Sequence, residues 1–282
     1  MARKRRTTLR TSEQDISAAQ QAPVTPQTES STFRLAFSDP EFMTSEDTRG
    51  IRFQLEYLKP EFILREQGIN STVVLFGGAR IPEPGKPAWA ARNKTQERNL
   101  EQASRYYEEA RRFARYASET SRALNFQDYV VVTGGGPGVM EAGNRGATEV
   151  GAPSIGLNIV LPHEQAPNEY VTPELCFNFH YFATRKIHFL IRARAVAVFP
   201  GGFGTLDEFF ETLTLIQTGR MERVPLLLFG MEFWNKVLNF EALAEAGTIS
   251  PDDPNLFTVV DSAEEGWNVV RKHYNLPEVS ID

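Results

Sequence analysis

From about residue 69 onward, short apolar, β-branched runs alternate with amphipathic helical stretches, and few folds accept that alternation. The runs fall at 72–76, 129–133, 154–159, 195–199, 225–229 and 257–260. Helical periodicity fills 99–123, 138–150, 205–218 and 263–273 between and after them. Most runs are apolar at nearly every position, as strands covered on both faces must be. Repeated βαβ units of this kind build a parallel sheet. The expected fold is α/β: a Rossmann-like doubly wound parallel sheet with helices on both faces.

The rest of the chain is read around that body. Residues 1–32 are rich in Ser, Thr, Gln, Pro and Ala without apolar periodicity, so they are expected to form a disordered, solvated tail. Glu13 and Asp15 come early for an organelle transit peptide, and no apolar stretch follows the bases as in a secretory signal. Residues 33–69 are expected to be helical. Ile51, Leu55, Leu58 and Phe62 share one face that should pack against the main domain, while Pro60 should interrupt or kink the run. Residues 70–282 form the expected main α/β domain. Within it, residues 80–97 carry three prolines and read as a long loop or lid at the carboxyl end of the first strand, where open α/β sheets place ligands.

Charge and cysteine content narrow the function. The net charge is −6, but five bases and no acid lie in the first ten residues, leaving 25 bases against 36 acids on the remainder. So acidic a body argues against nucleic-acid binding as the main activity. No apolar run approaches the roughly 18 residues of a membrane span. Cys176 is the only cysteine, which excludes an intramolecular disulfide framework or a multi-cysteine metal site and points to a cytoplasmic location. His163, His180 and His188 lack ligand-like spacing, so no metal is expected.

Three glycine turns follow strands: Gly77-Gly78, Gly134-Gly135-Gly136-Pro137-Gly138 and Gly201-Gly202-Phe203-Gly204-Thr205. Glycine there admits positive φ and close approach of a ligand, and the following helix aims its unpaired N–H groups at the turn. The dinucleotide fingerprint G-x-G-x-x-G fails at Val139 in one turn and at Asp207 in the other. The only Gly-Lys pair, Gly85-Lys86, precedes Pro87, so no P-loop is present. A phosphate site without NAD, FAD or NTP chemistry remains, and no cofactor is expected.

Arg185 and Lys186 precede the 195–199 strand, and Asp207 and Glu208 follow its glycine turn. If the helix starts near Thr205, both acids lie in its first turn about 100° apart and cannot face one point. Either could be an ordinary dipole-stabilising acid. A carboxylate facing a phosphate bound at Gly204 and Thr205 would be repelled, so one acid is expected to seek sugar hydroxyls instead. Arginine grips phosphate through two N–H groups. The set reads as a nucleoside monophosphate cradle.

The P-G-G-x-G-T-x-x-E sequence at 200–208, with Arg185-Lys186 upstream, resembles the LONELY GUY (LOG) family of phosphoribohydrolases, often mislabelled lysine decarboxylases. The similarity covers roughly 70–230, including FGGAR, GGGPGVMEAGNRGA and SIGLNIVLPHEQ. Met140-Glu141-Ala142 and Asp207 depart from the short plant-type pattern. The resemblance implies cleavage of a nucleoside 5′-monophosphate, AMP or a cytokinin riboside 5′-monophosphate, to free base and ribose 5-phosphate. It makes Glu208 and Arg185 catalytic. Lys186, Gly201, Gly202, Gly204 and Thr205 become phosphate- and ribose-binding residues, with Asp207, Thr214, Gly135, Gly136 and Gly78 as further substrate contacts. Glu141 and Glu164 are possible substrate contacts or surface acids. The resemblance also implies a homodimer or larger homo-oligomer. A nucleotide sensor on the same fold is the alternative, and a lysine decarboxylase lacks a suitable Schiff-base lysine.

Overall fold

The computed structural model describes residues 8–162 and 166–281. The basic cluster at Arg3–Arg6 and the residues His163 and Glu164 lie outside them. The chain divides into two compact units at Lys59 and Pro60.

In the first unit, α1 (Ser12–Gln20) lies within the segment expected to be a disordered tail. Thr11 and Gln14 form a reciprocal capping box, and the helix buries no residue. Local capping, which periodicity does not register, accounts for it. A short helix, α2 (Pro40–Thr44), follows, and α3 (Arg49–Glu66) runs through Pro60 and into the second unit. The expected interruption at Pro60 is absent. The buried residues of α3 are Pro60 and Leu64, whereas Ile51, Leu55, Leu58 and Phe62 stay exposed. The apolar stripe is therefore not the buried face.

The second unit holds a seven-stranded parallel sheet of β1 (Thr72–Phe76), β2 (Val130–Thr133), β3 (Ser154–Ile159), β4 (Cys176–Phe179), β5 (Ala193–Val198), β6 (Leu226–Phe229) and β7 (Thr258–Val260). Its order is β4-β3-β2-β1-β5-β6-β7. Every residue of β1, β2, β3 and β6 is buried, as the unbroken apolar runs require. The edge strand β4 was not legible in the sequence. It is four residues long, carries Asn178 and buries only Phe177 and Phe179.

The helices of this unit are α4 (Lys94–Ala103), α5 (Arg105–Ala123), α6 (Val139–Glu149), α7 (Phe182–Leu190), α8 (Phe203–Gln217), α9 (Met231–Val237), α10 (Phe240–Glu245) and α11 (Ala263–Tyr274). Two cores form the layers. Phe113, Ala142 and Trp267 from α5, α6 and α11 pack on one sheet face, and Leu64, Phe189, Phe209 and Trp234 from α3, α7, α8 and α9 pack on the other. The 80–97 segment is partly helical: Asn93 caps α4 by accepting from the Gln96 N–H at 2.9 Å. Ile81 and Ala88 are buried, and Glu83 pairs with Arg145 at 2.9 Å. Among the described residues no helix is long and apolar enough to cross a membrane.

The strand order reverses between β1 and β5. Connections before β5 wind one way and those after it the other, so the loops leaving β1 and β5 part and open a crevice at their carboxyl ends. Phe199 N–H donates to the Phe76 carbonyl at 2.8 Å and Gly78 N–H to the Pro200 carbonyl at 2.9 Å, stitching the floor of that switch point.

Candidate active site

The third glycine turn lies directly at the switch point. Gly202 is the extended N-cap of α8, which begins at Phe203. The helix therefore starts two residues earlier than the sequence indicated, because Gly204 is accommodated inside its first turn. Asp207 and Glu208 then fall in the second turn, and the dipole role weighed for them does not apply. The first N–H groups of α8 have no intrahelical partner, and no side chain caps them. Nothing lies within 4 Å of where a Cβ would stand on Gly202 or Gly204. This turn is open. Gly201, in contrast, sits under the Thr205 side chain, and Thr205 is buried.

The second glycine turn is tied down. Gly135 adopts φ +74°, a conformation that favours glycine. Its N–H donates to Thr133 Oγ1 at 2.9 Å, and Thr133 Oγ1 donates to Asn144 Oδ1 at 2.7 Å. Asn168 Nδ2 reaches the same Asn144 oxygen and the carbonyls of Gly135 and Gly136, each at 3.0 Å. Both backbone polar groups of Gly135 are thus used internally. Gly78 also spends its N–H within the fold, so these two glycines shape the site without donating to a ligand.

Helices α7 and α8 bring the charged residues together. Arg185 Nη1 stands 3.7 Å from Glu208 Oε1, with both side chains less than one-fifth exposed. Arg185 Nε donates to the Leu157 carbonyl in β3 at 2.7 Å, and its guanidinium lies 5.0 Å from the centre of the Phe189 ring. Phe189 follows Arg185 by one helical turn, a spacing readable from sequence, whereas a main-chain acceptor such as Leu157 is not. Burial pushes the Glu208 carboxyl up to about 7, with Arg185 opposing and Asp207 reinforcing the shift. A carboxyl group balanced near neutrality, beside a fixed cation in a cleft, is equipped for proton transfer or for stabilising a cationic centre.

Lys186, expected as a phosphate contact, pairs with two acids of α8. Its Nζ lies 2.8 Å from Asp207 and 3.3 Å from Glu211. Burial pulls its pKa down, but the two acids outweigh burial and the net shift is upward. Lys186 therefore joins α7 to α8 beside the Arg185–Glu208 pair. Asp207 is exposed and engaged with Lys186. Thr214 is exposed and donates to its own helix's Phe210 carbonyl, ten residues or about 15 Å along α8 from Gly204. The fold does not bring Thr214 to the switch point. Glu141 accepts from the Tyr107 hydroxyl at 2.7 Å, a contact between α5 and α6. A cavity of about 590 Å³ between α7 and α8 includes Lys186, Ile187, Leu190, Glu211 and Leu215, but also Asn70, just before β1, and Ala193 at the amino end of β5. It lies away from the switch point and is a separate feature.

The chain is similar to several known proteins. A family model described as "Possible lysine decarboxylase" matches residues 140–270. Cytokinin riboside 5′-monophosphate phosphoribohydrolase LOG1 of Arabidopsis thaliana is 34% identical over 83 residues, 29% of this chain. The match spans 38% of that relative's length. Among solved structures, the molybdenum cofactor binding protein of Rippkaea orientalis is 16% identical, with 73% of this chain and 98% of that chain covered at a TM-score of 0.45. The molybdenum cofactor carrier protein of Chlamydomonas reinhardtii is 18% identical, with 73% and 99% covered at a TM-score of 0.43. The chain is thus similar to the family which that model describes over residues 140–270, and to LOG1 over 83 residues.

Proposed function

We propose that this protein hydrolyses the N-glycosidic bond of nucleoside 5′-monophosphates, releasing the free base and ribose 5-phosphate. The observation that carries the reading is Arg185 beside a near-neutral Glu208 at the switch point, next to an open helix N-terminus.

The N–H groups at the start of α8 would receive the 5′-phosphate, since unpaired amides and the helix dipole both favour an anion. Glu208, one and a half turns further in, would face the sugar. Cleavage of a glycosidic bond develops positive charge near C1′, as in glycoside hydrolysis. The ionised carboxylate stabilises that charge where it develops. It also accepts a proton as water adds to C1′, while the departing base takes up a proton at its ring nitrogen. Arg185, fixed through Leu157 and Phe189, orients the substrate and neutralises the base as it leaves.

Lysine decarboxylation, which the family model's description suggests, fits these residues poorly. A Schiff base on pyridoxal phosphate needs a lysine that can lose its proton. Lys186 is held between two carboxylates that keep it charged.

The test is incubation with AMP and with isopentenyladenosine 5′-monophosphate, followed by chromatography of the released base. Base is expected from both, with carbon dioxide absent from lysine reactions. Nucleotide binding without base release would favour the sensor reading.

A further inference from the structure

Resting on the reading just given, we infer that Met140 is the surface on which the base of the nucleotide lies. Met140 is the second residue of α6. Its neighbours Val139 and Ala142 turn into the core, whereas Met140 is half-buried and lies over the second glycine turn. Its Sδ stands 2.7 Å from the place a Cβ would take on Gly134, and its Cε 2.8 Å from that place on Gly136. The missing side chains of these glycines are what let the thioether lie flat on the turn. The Gly134 position is also 2.6 Å from Arg185 Nη2, so the sulfur and the guanidinium lie side by side.

The order of groups across the switch point then follows. The open α8 turn lies beyond β5, and Glu208 and Arg185 come next. Met140 lies beyond β2, on the far side of β1 from β5. A nucleotide with its phosphate on the α8 turn and C1′ at Glu208 must send its base toward Arg185 and Met140. An unbranched, polarizable thioether gives an aromatic ring a deformable apolar support and a favourable sulfur contact. It offers no strong hydrogen-bonding group to the ring edge. Met140 thus supports purine rings generally and contributes nothing to the sugar phosphate.

The test compares two ligands that differ by the base. In a Glu208→Gln background, which keeps AMP intact, AMP and ribose 5-phosphate are titrated calorimetrically into the full chain. Met140→Ala is expected to weaken AMP about tenfold, within the range for a truncated apolar pocket wall. It should leave ribose 5-phosphate within about twofold, and Met140→Leu should keep AMP binding within about threefold. Equal weakening of both ligands, unchanged AMP binding, or no binding by the parent would overturn the inference. Base release by the wild-type chain is scored separately. Its absence would sink the hydrolase reading while the affinity ratio still reports on Met140.

Discussion

The second and third glycine turns have similar compositions and opposite constructions. At Gly134–Gly136 the main chain is locked by Thr133, Asn144 and Asn168, and Met140 lies across it. At Gly201–Gly204 no side chain caps the helix, and two glycine positions face open space. The difference teaches that glycine at a strand end serves two purposes. In one turn it lets the fold close on itself, and in the other it leaves room for something outside the fold.

The largest expected effect lies between the turns. Arg185→Ala should lower kcat/KM for base release by about 10²–10³, with folding retained by circular dichroism. Next, the turns should fail in different ways. Gly135→Ala forces a side chain into a positive-φ position occupied by Asn158 and should destabilise the fold by about 2–4 kcal/mol. Asn168→Ala removes the clamp on two carbonyls and should cost about 1–3 kcal/mol in urea unfolding. Gly202→Ala should leave stability within about 1 kcal/mol yet raise KM for AMP severalfold, because its methyl enters the ligand's space. If Gly202→Ala unfolds the protein while Gly135→Ala only raises KM, the comparison is reversed.

The smallest effects concern pH. Glu208 has its folded-state pKa raised from 4.5 to about 7. Its stabilising contribution is therefore complete below about pH 4.5 and is lost as pH rises through 7, by about 3 kcal/mol. Glu208→Gln should flatten that decline. Asp207 helps to raise the Glu208 pKa, so Asp207→Asn should move the acid limb of the kcat/KM profile to lower pH. An unmoved limb would mean that another group sets it.

Much of this arrangement was legible in the sequence because it depends on local chemistry. Unbroken apolar runs gave six of the seven strands, since two-sided burial demands them. The glycine turns followed from residue type and spacing, whereas singling out Glu208 over Asp207 rested on the family resemblance. The start of α8 was misplaced because a glycine inside a helix reads as a break, although Gly204 lies in its first turn. The partners of Lys186 were hidden because they depend on how two helices pack. The Asn144–Asn168 contact joins residues 24 apart through side chains that each look like ordinary loop or helix polar groups. No periodicity encodes such a contact. Leu157 acts through its carbonyl, which every residue carries, so its type is uninformative.

The central claim, that Glu208 acts on the bond to the base and not on nucleotide binding, is tested most directly by single-turnover release of adenine from AMP, with AMP affinity measured alongside. Glu208→Gln should bind AMP within about threefold of the wild type while releasing adenine about 10³-fold more slowly. Adenine release by Glu208→Gln at the wild-type rate, or a slowdown explained wholly by weaker AMP binding, would contradict the account.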